Sequence, residues 1–521
     1  MGEESIKVLL VTNVDRGQAN SFLATCHALF QADADIELHF ATFRGLEAAL
    51  ATTWQHARLT VPSARPIVFH EIKGLSMAEG LENTFTSREI PWNGFLPDSY
   101  TRPLGILNTT RAIRDTVPIF VPYDGPQLVE IVSSIIDIIK TVSADLVVVD
   151  ALMTPALTAC HHLDINFVCL SPNSAKEFSA SREPGAPGLW KYPALFSGFS
   201  YPVPWYHIPL NIFCVLYTAV KWVTDSHRRA VAKHLITSTG VTLKTPFDLL
   251  RGPPPKCKIL VGSLLELDFC SAIPPHVLPC GPIVQSAPPV ADVEPKLASW
   301  LSARPTLYVN LGSLCRLDED RAVELALALK YFLIQSRSAP GNQGKPSSSL
   351  QVLWKLKQHG DYRATKPGCR IHDILGQEIR TGSVRIVGWL VPEPISVLES
   401  GNIVCAVHHG GANSFYEAVL TGVPQVVLPQ WTDCYDYAQR VEMLGIGRLG
   451  NRVEKPLWVA KRLAREIFAV VLGEGSDAIK LRAKEVATLC REKGSGAENA
   501  ARAILEECQR HSSDRGESHV L

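Results

Sequence analysis

Apolar positions along the chain fall into short unbroken runs, separated by stretches in which apolar residues recur at helical spacing. In the first half, Lys7 to Thr12 (KVLLVT), Asp35 to Thr42, Pro66 to Ile72, Ala144 to Asp150 (ADLVVVD), Ile165 to Leu170 and Lys258 to Gly262 are predicted strands. Unbroken runs of this length, rich in β-branched residues, suit strands buried on both faces. Helices are predicted from about Ala19 to Phe30, over Gln127 to Thr141 and over Pro155 to His162. In the second of these, Leu128, Ile131, Val132, Ile135, Ile136 and Ile139 share one face. The second half repeats the scheme, with strands at Thr306 to Asn310, Val352 to Lys355, Val384 to Val387, Ile403 to Val407 and Gln425 to Leu428. Its helices are Arg321 to Ile334 and a group from about Pro456 to Gln509. Repeated strand–helix units imply parallel sheets with right-handed crossovers, an α/β fold. Ligands bind such sheets at the carboxyl ends of the strands. Gln18, Asp150 and Ser171 follow strand ends and are expected to face one crevice.

At 521 residues the chain is long enough for two domains. The Pro-rich stretch Pro279 to Pro295 punctuates it, giving a first domain over 1–280, a linker over 281–295 and a second domain over 296–480. Residues 481–521 read as closing helices and a polar tail, and Gln335 to Ser349 as a disordered loop. Glu183 to Pro209 is a long loop with an aromatic wall. The stretch nearest to a membrane segment is Ile208 to Val223. Pro209, Asn211 and Lys221 interrupt it, and it falls short of the ~18–20 apolar residues a span needs. It is expected to be a buried helix lining an apolar pocket, with peripheral membrane contact the second reading.

Charge narrows the partners. Lys+Arg and Asp+Glu number 51 each, so no basic excess points to nucleic acid. The thirteen cysteines show no CxxC pair and sit mostly in apolar runs, as Cys169 and Cys405 do. Reduced thiols in the cytosol are expected, and the acidic start Met1-Gly2-Glu3-Glu4 does not read as a signal peptide. A cytoplasmic monomer is expected.

The chemistry concentrates in Gly388 to Gly447. There the strand Ile403 to Val407 meets His408-His409-Gly410-Gly411, and a helix is predicted to open at Ala412-Asn413-Ser414, with Glu417 in its first turn. Strand, glycine turn and helix start offer free backbone N–H groups to an anion, and His409 can add a donor. A diphosphate site is the first hypothesis. The Gly312-Ser313 turn after Thr306 to Asn310 can serve the same charge. Trp389 adds an aromatic face, and Glu417 and Asp433 add two carboxylates. Paired His408-His409 does not suit a metal, because adjacent side chains diverge at a strand end. Gly445 to Gly450 spells GxGxxG, but it follows a helix and opens none, so it fails as a dinucleotide fingerprint.

Trp389, Pro392-Glu393, His409, Gly411, Asn413, Ser414, Glu417, Gly422-Val423-Pro424, Pro429 and Asp433 stand in the order of a known signature. It resembles the donor-binding signature of UDP-dependent glycosyltransferases, and Trp431 to Arg440 is most similar to fungal members. The resemblance implies the GT-B fold, two Rossmann-like domains facing a cleft, with the last helix crossing back to the first domain. It implies that Trp389 stacks on uracil, that Glu417 accepts from ribose hydroxyls and that Asp433 accepts from the sugar. Two departures stand out: the Trp389 to Pro392 spacing is one residue longer, and Cys434 replaces the family's Gln beside the sugar.

The family's base is a His after the first strand, and here Gln18 occupies that position. An amide cannot act as a base, so Asp150, which matches the family's partner Asp, ranks first and Asp15 second, with Gln18 positioning the acceptor. The implied activity is inverting, metal-independent transfer from a UDP-sugar, a co-substrate rather than a cofactor. Glucose is the default sugar, and the acceptor is the hydroxyl or carboxyl of a lipophilic molecule such as a terpenoid, sterol or polyketide in fungal secondary metabolism. A GT-B nucleotide-sugar epimerase and a non-catalytic nucleotide-sugar-binding protein are the alternatives.

Overall fold

The apolar runs become the strands of two sheets in the structure, a computed structural model that describes residues 5–92, 96–270, 272–338 and 350–518. The first sheet holds β1 (Lys7–Val11), β2 (Glu37–Thr42), β3 (Val68–Glu71), β4 (Leu146–Asp150), β5 (Phe167–Ser171), β6 (Ile259–Val261) and β7 (Val277–Pro279). Its order is β3-β2-β1-β4-β5-β6-β7, with every neighbouring pair parallel. The second sheet holds β8 (Thr306–Asn310), β9 (Gln351–Lys355), β10 (Val384–Val387), β11 (Ile403–His408), β12 (Gln425–Val427) and β13 (Gly447–Leu449). Its order is β10-β9-β8-β11-β12-β13, again all parallel. The unpredicted β13 comes from the GxGxxG stretch, where a Cβ on Gly447 would lie 1.9 Å from the Gln425 carbonyl oxygen. In each sheet the strand order reverses once, between β1 and β4 and between β8 and β11. Such switch points open a crevice at the strands' carboxyl ends.

The helices include α1 (Arg16–Ala32), α2 (Ile106–Thr116), α3 (Gly125–Val142), α4 (Ile208–Thr224), α5 (Ser226–Thr239), α6 (Ala412–Thr421), α7 (Cys434–Met443) and α8 (Gly496–Ser518). Asp124 and Gln127 form a capping box that opens α3. The predicted stripe Leu128, Ile131, Val132 and Ile135 then packs on Val147 and Val149 of β4. On the sheet's other face Phe22 and Leu29 of α1 pack with Val148, together with Ala500, Ala501 and Ile504 of α8. The chain's last described helix thus lies on the first sheet.

Four expectations change. Helix α1 begins at Arg16, so Gln18 lies in its first turn rather than in a loop. Glu417 is in the second turn of α6, because Gly411 is the N-cap. The polar stretch Gln335 to Ser349 is helical as far as Ser338, and residues 339–349 lie outside the described residues. Helix α4 is not buried: only Asn211, Cys214 and Trp222 are, and its outer face is open. Among the described residues no helix is long and apolar enough to cross a membrane. All thirteen cysteines are buried and unbridged.

The joint between the two sheets is polar at its centre. Arg440 of α7 is fully buried and donates from Nη2 to Asp268 Oδ1 (2.6 Å) and Ser174 Oγ (2.8 Å) on the first-sheet side. Its guanidinium lies 4.3 Å from the Phe269 ring centroid. Lys176 pairs with Asp436 alongside.

Candidate active site at the cleft

Helix α6 follows β11 through His408-His409-Gly410-Gly411, as the local pattern demands. Gly410 takes φ +89°, and a Cβ there would meet the Cys434 carbonyl oxygen at 2.7 Å. The two histidines part ways. His408 is buried, bonded through Nε2 to Gln425 Oε1 (2.8 Å), and its Nδ1 accepts from Gly410 N (3.1 Å). His409 turns toward the cleft, its ring 5.2 Å from that of Trp431, and its Nδ1 has no partner among the described residues. Burial, helped by His408 and Lys355, lowers its pKa to about 3, so it acts as a neutral imidazole. Among the described residues no group of three His, Cys, Asp or Glu is placed to hold a metal ion.

The imidazole has its place because two glycines make room. A Cβ on Gly312 would lie 2.6 Å from His409 Cε1, and one on Gly411 would lie 2.4 Å from Nε2. Gly411 has ordinary extended angles, φ −69° and ψ 150°, so an alanine there strains only the imidazole. Gly411→Ala is therefore expected to weaken UDP binding about tenfold, equal to ~1.4 kcal/mol, in a calorimetric titration. Unchanged affinity would remove His409 from the diphosphate site.

Around this cradle the structure collects most of the predicted donor residues. Asn413 and Ser414 are the second and third residues of α6, where backbone N–H groups are free. Ser313 follows Gly312 at the end of β8, and its carbonyl accepts from Lys357 Nζ (2.7 Å). Trp389 stands two residues beyond β10 and is 55% exposed. Lys355 Nζ lies 4.1 Å from its ring centroid. Glu417 is buried, and burial with Glu393 nearby raises its pKa to about 8. Asp433 precedes α7 without a side-chain bond to its N–H groups, accepts from Thr432 Oγ1 (2.8 Å), and is raised to about 6, chiefly by burial. Cys434, the first residue of α7, is fully buried.

The opposite lip is the N-terminus of α1. Asn413 Nδ2 reaches the carbonyls of Arg16 (3.3 Å) and Gly17 (3.4 Å), and Arg16 Nη1 lies 4.0 Å from Glu393 Oε1. The three candidates there differ sharply. Asp150 is fully buried, its carboxylate accepting from Thr12 Oγ1 (3.0 Å) and Leu152 N (2.9 Å), and burial raises its pKa to about 6. Asp15 is the N-cap of α1, yet its side chain bonds to no helix N–H, and burial raises its pKa. Gln18 Oε1 has no partner among the described residues.

Lys355 escaped the sequence reading. It is buried, its ammonium makes no hydrogen bond among the described residues, and burial with Lys357 beside it lowers its pKa to about 8. The signal was a charge closing an apolar strand, Gln351 to Lys355, at the carboxyl end where ligands bind.

A glycosyltransferase of the fungus Sordaria araneosa, sdnJ, is 32% identical over 460 residues, covering 85% of this chain and 83% of its own. The chain belongs to the UDP-glycosyltransferases. A family model described as the C-terminal domain of erythromycin biosynthesis protein CIII-like proteins matches residues 377–490 of this UDP-glycosyltransferase, the stretch that carries the donor signature. Its GT-B fold is shared with a UDP-glucosyltransferase from Polygonum tinctorium (TM-score 0.62, 16% identity, 98% of this chain and 99% of that one). Phytolacca americana UGT2 superposes with a TM-score of 0.58 at 15% identity, covering 97% of this chain and 100% of its own.

Proposed function

We propose that this UDP-glycosyltransferase moves glucose from UDP-glucose to a hydroxyl or carboxyl of a lipophilic small molecule, with inversion and without a metal. The carrying observation is the contact of Asn413 with the α1 N-terminus, which sets the anion cradle of one sheet against Asp15 and Gln18 of the other. UDP lies with uracil on Trp389, ribose hydroxyls on Glu417 and the β-phosphate at the α6 N-terminus and His409. Asp433 accepts from the sugar hydroxyls. The acceptor hydroxyl donates to Asp15, with Gln18 positioning it, and its oxygen attacks the anomeric carbon from the face opposite UDP. The new C–O bond forms as the bond to the β-phosphate oxygen breaks, and Asp15 takes the acceptor's proton. One displacement inverts the configuration. The leaving charge falls on backbone N–H groups and a neutral imidazole, fixed donors that need no reorganisation.

Two likenesses support the sugar and the acceptor class. The Polygonum enzyme is described as capable of glucosylating indoxyl and was solved with 3,4-dichloroaniline. Phytolacca UGT2 was solved with UDP-2-fluoro-glucose and pterostilbene. In this chain Tyr100, Phe196 and Tyr435 form an apolar cluster with Trp431 packed against it, close in sequence to Asp433. The relation to the fungal sdnJ supports a place in fungal secondary metabolism.

The test is product analysis. The purified protein, treated with a chelator, is given UDP-glucose and UDP-xylose with a panel of phenols, sterols and terpenoid acids. A β-glucoside, identified by mass and by the anomeric proton coupling, is expected. An α-linked product would sink inversion, and an epimerised sugar nucleotide without a glycoside would sink transfer.

A further inference from the structure

Helix α4 turns apolar residues outward. Phe213, Leu216, Val220 and Val223 are 44%, 54%, 56% and 55% exposed, and Pro209 is exposed one turn earlier. The spacing of four and three residues makes them one continuous stripe. Trp205 (82% exposed) and Tyr206 extend the stripe beyond its N-terminal end. Exposed Ile106 and Leu107 begin the neighbouring helix α2. A surface helix ordinarily shows the reverse pattern, and a contiguous exposed apolar patch marks an interaction site.

The rim of the patch is cationic in a chain of net charge +0. From Glu183 to Asp248 stand Lys191, Lys221, Arg228, Arg229, Lys233 and Lys244, six cations against the three carboxylates Glu183, Asp225 and Asp248. Asp225 is already spent on Arg88 (2.8 Å). Arg229 and Lys233 of α5 are exposed. Beside them an open hollow of about 390 Å³ has three cations, Arg228, Lys233 and Arg251, and one carboxylate, Asp248, in its walls, with Trp222 and Phe247.

We infer that this face docks on a lipid bilayer carrying anionic headgroups. The apolar stripe enters the acyl boundary, Trp205 and Tyr206 sit at headgroup level, and α5 meets the phosphates. A second copy of the chain fits worse, because cations outnumber carboxylates two to one from Glu183 to Asp248, so two such faces would bring like net charge together. The inner side of α4 places Leu210, Val215 and Tyr217 against the same cluster as Tyr435 and Trp431. Docking therefore sets the cleft beside acceptors dissolved in the bilayer. This inference stands apart from the sugar and the base proposed above.

Flotation with phosphatidylcholine vesicles, with and without phosphatidylserine, tests it. The natural chain is expected to float with the mixed vesicles at low salt and to be released as salt rises. Phe213→Ser/Leu216→Ser/Val220→Ser is expected to cut the bound fraction at least tenfold, and Arg229→Glu/Lys233→Glu to remove the phosphatidylserine dependence. These positions face water, so both variants should fold and should glucosylate a water-soluble phenol at the natural rate. Equal flotation of the triple variant would overturn the inference. So would sedimentation showing a vesicle-free dimer that the triple variant loses, which assigns the stripe to a second copy.

Discussion

Asp15→Asn is expected to lower kcat/KM by ~10²–10⁴-fold while leaving UDP affinity unchanged, because it removes a proton acceptor and nothing that touches the donor. The expectation rests on which carboxylate is free. Asp150 has both oxygens engaged, by Thr12 Oγ1 and Leu152 N, and no exposed surface. An amide at that position can still accept one of these bonds, so Asp150→Asn should cost far less. Asp15 sits where a side chain normally caps its own helix, and it does not do so. Burial raises its pKa, which strengthens the carboxylate as a base. The base works deprotonated, so kcat/KM falls as pH drops through the raised pKa, above the ordinary carboxylate range. That acid limb should disappear in Asp15→Asn. The loss should shrink for acceptors that ionise near neutral pH, which need less help. If Asp150→Asn abolished transfer and Asp15→Asn preserved it, the assignment would be reversed.

The pair shows what the sequence carried and what it did not. A carboxylate at the end of a buried strand, Asp150, and one in the loop after β1, Asp15, are equally legible as cleft candidates. Which of them is occupied depends on Thr12, a neighbour across the sheet 138 positions away from Asp150, and no local pattern reports that. Strands were legible for the opposite reason. A strand buried on both faces must be apolar throughout, so Leu146 to Val149 announces itself without any knowledge of its neighbours. The same logic misled at α4. A helix apolar all round is ordinarily buried, and the sequence reads so, but coverage is a property of the whole fold, and here one face is left uncovered. Cys434 is a smaller case. The family signature aligns it with a Gln beside the sugar, and no local pattern reports that its side chain is fully buried at the start of α7.

Arg440→Met is expected to be the most destabilising single change at the joint. Removing one member of a buried ion pair costs ~3–5 kcal/mol, since the other charge stays buried without its partner. Asp268 would be that charge. Burial acts to raise its carboxyl, and Arg440 beside it outweighs burial and holds it below the ordinary range. Without Arg440 it keeps hydrogen bonds from Phe269 N (2.7 Å), Lys176 N (3.1 Å) and Ser263 Oγ (3.3 Å) but no ion pair among the described residues. The thermal midpoint should fall by about 6–10 °C. Adding Asp268→Asn should recover part of this, because an amide needs no countercharge; further loss in the double variant would show that the pair does not act as a unit. The natural chain should lose the same stabilisation in acid, as pH falls through the depressed Asp268 pKa, and the double variant should not show that component. The effect reaches the chemistry through α7, which begins at Cys434, next to Asp433, and carries Arg440 six residues on, about 9 Å along its axis. The ion pair thus anchors to the first domain the helix that Asp433 precedes, the residue proposed to accept from the sugar. KM for the UDP-sugar should rise in Arg440→Met at temperatures where the variant is still folded, while a change in stability with KM untouched would confine Arg440 to holding the domains together.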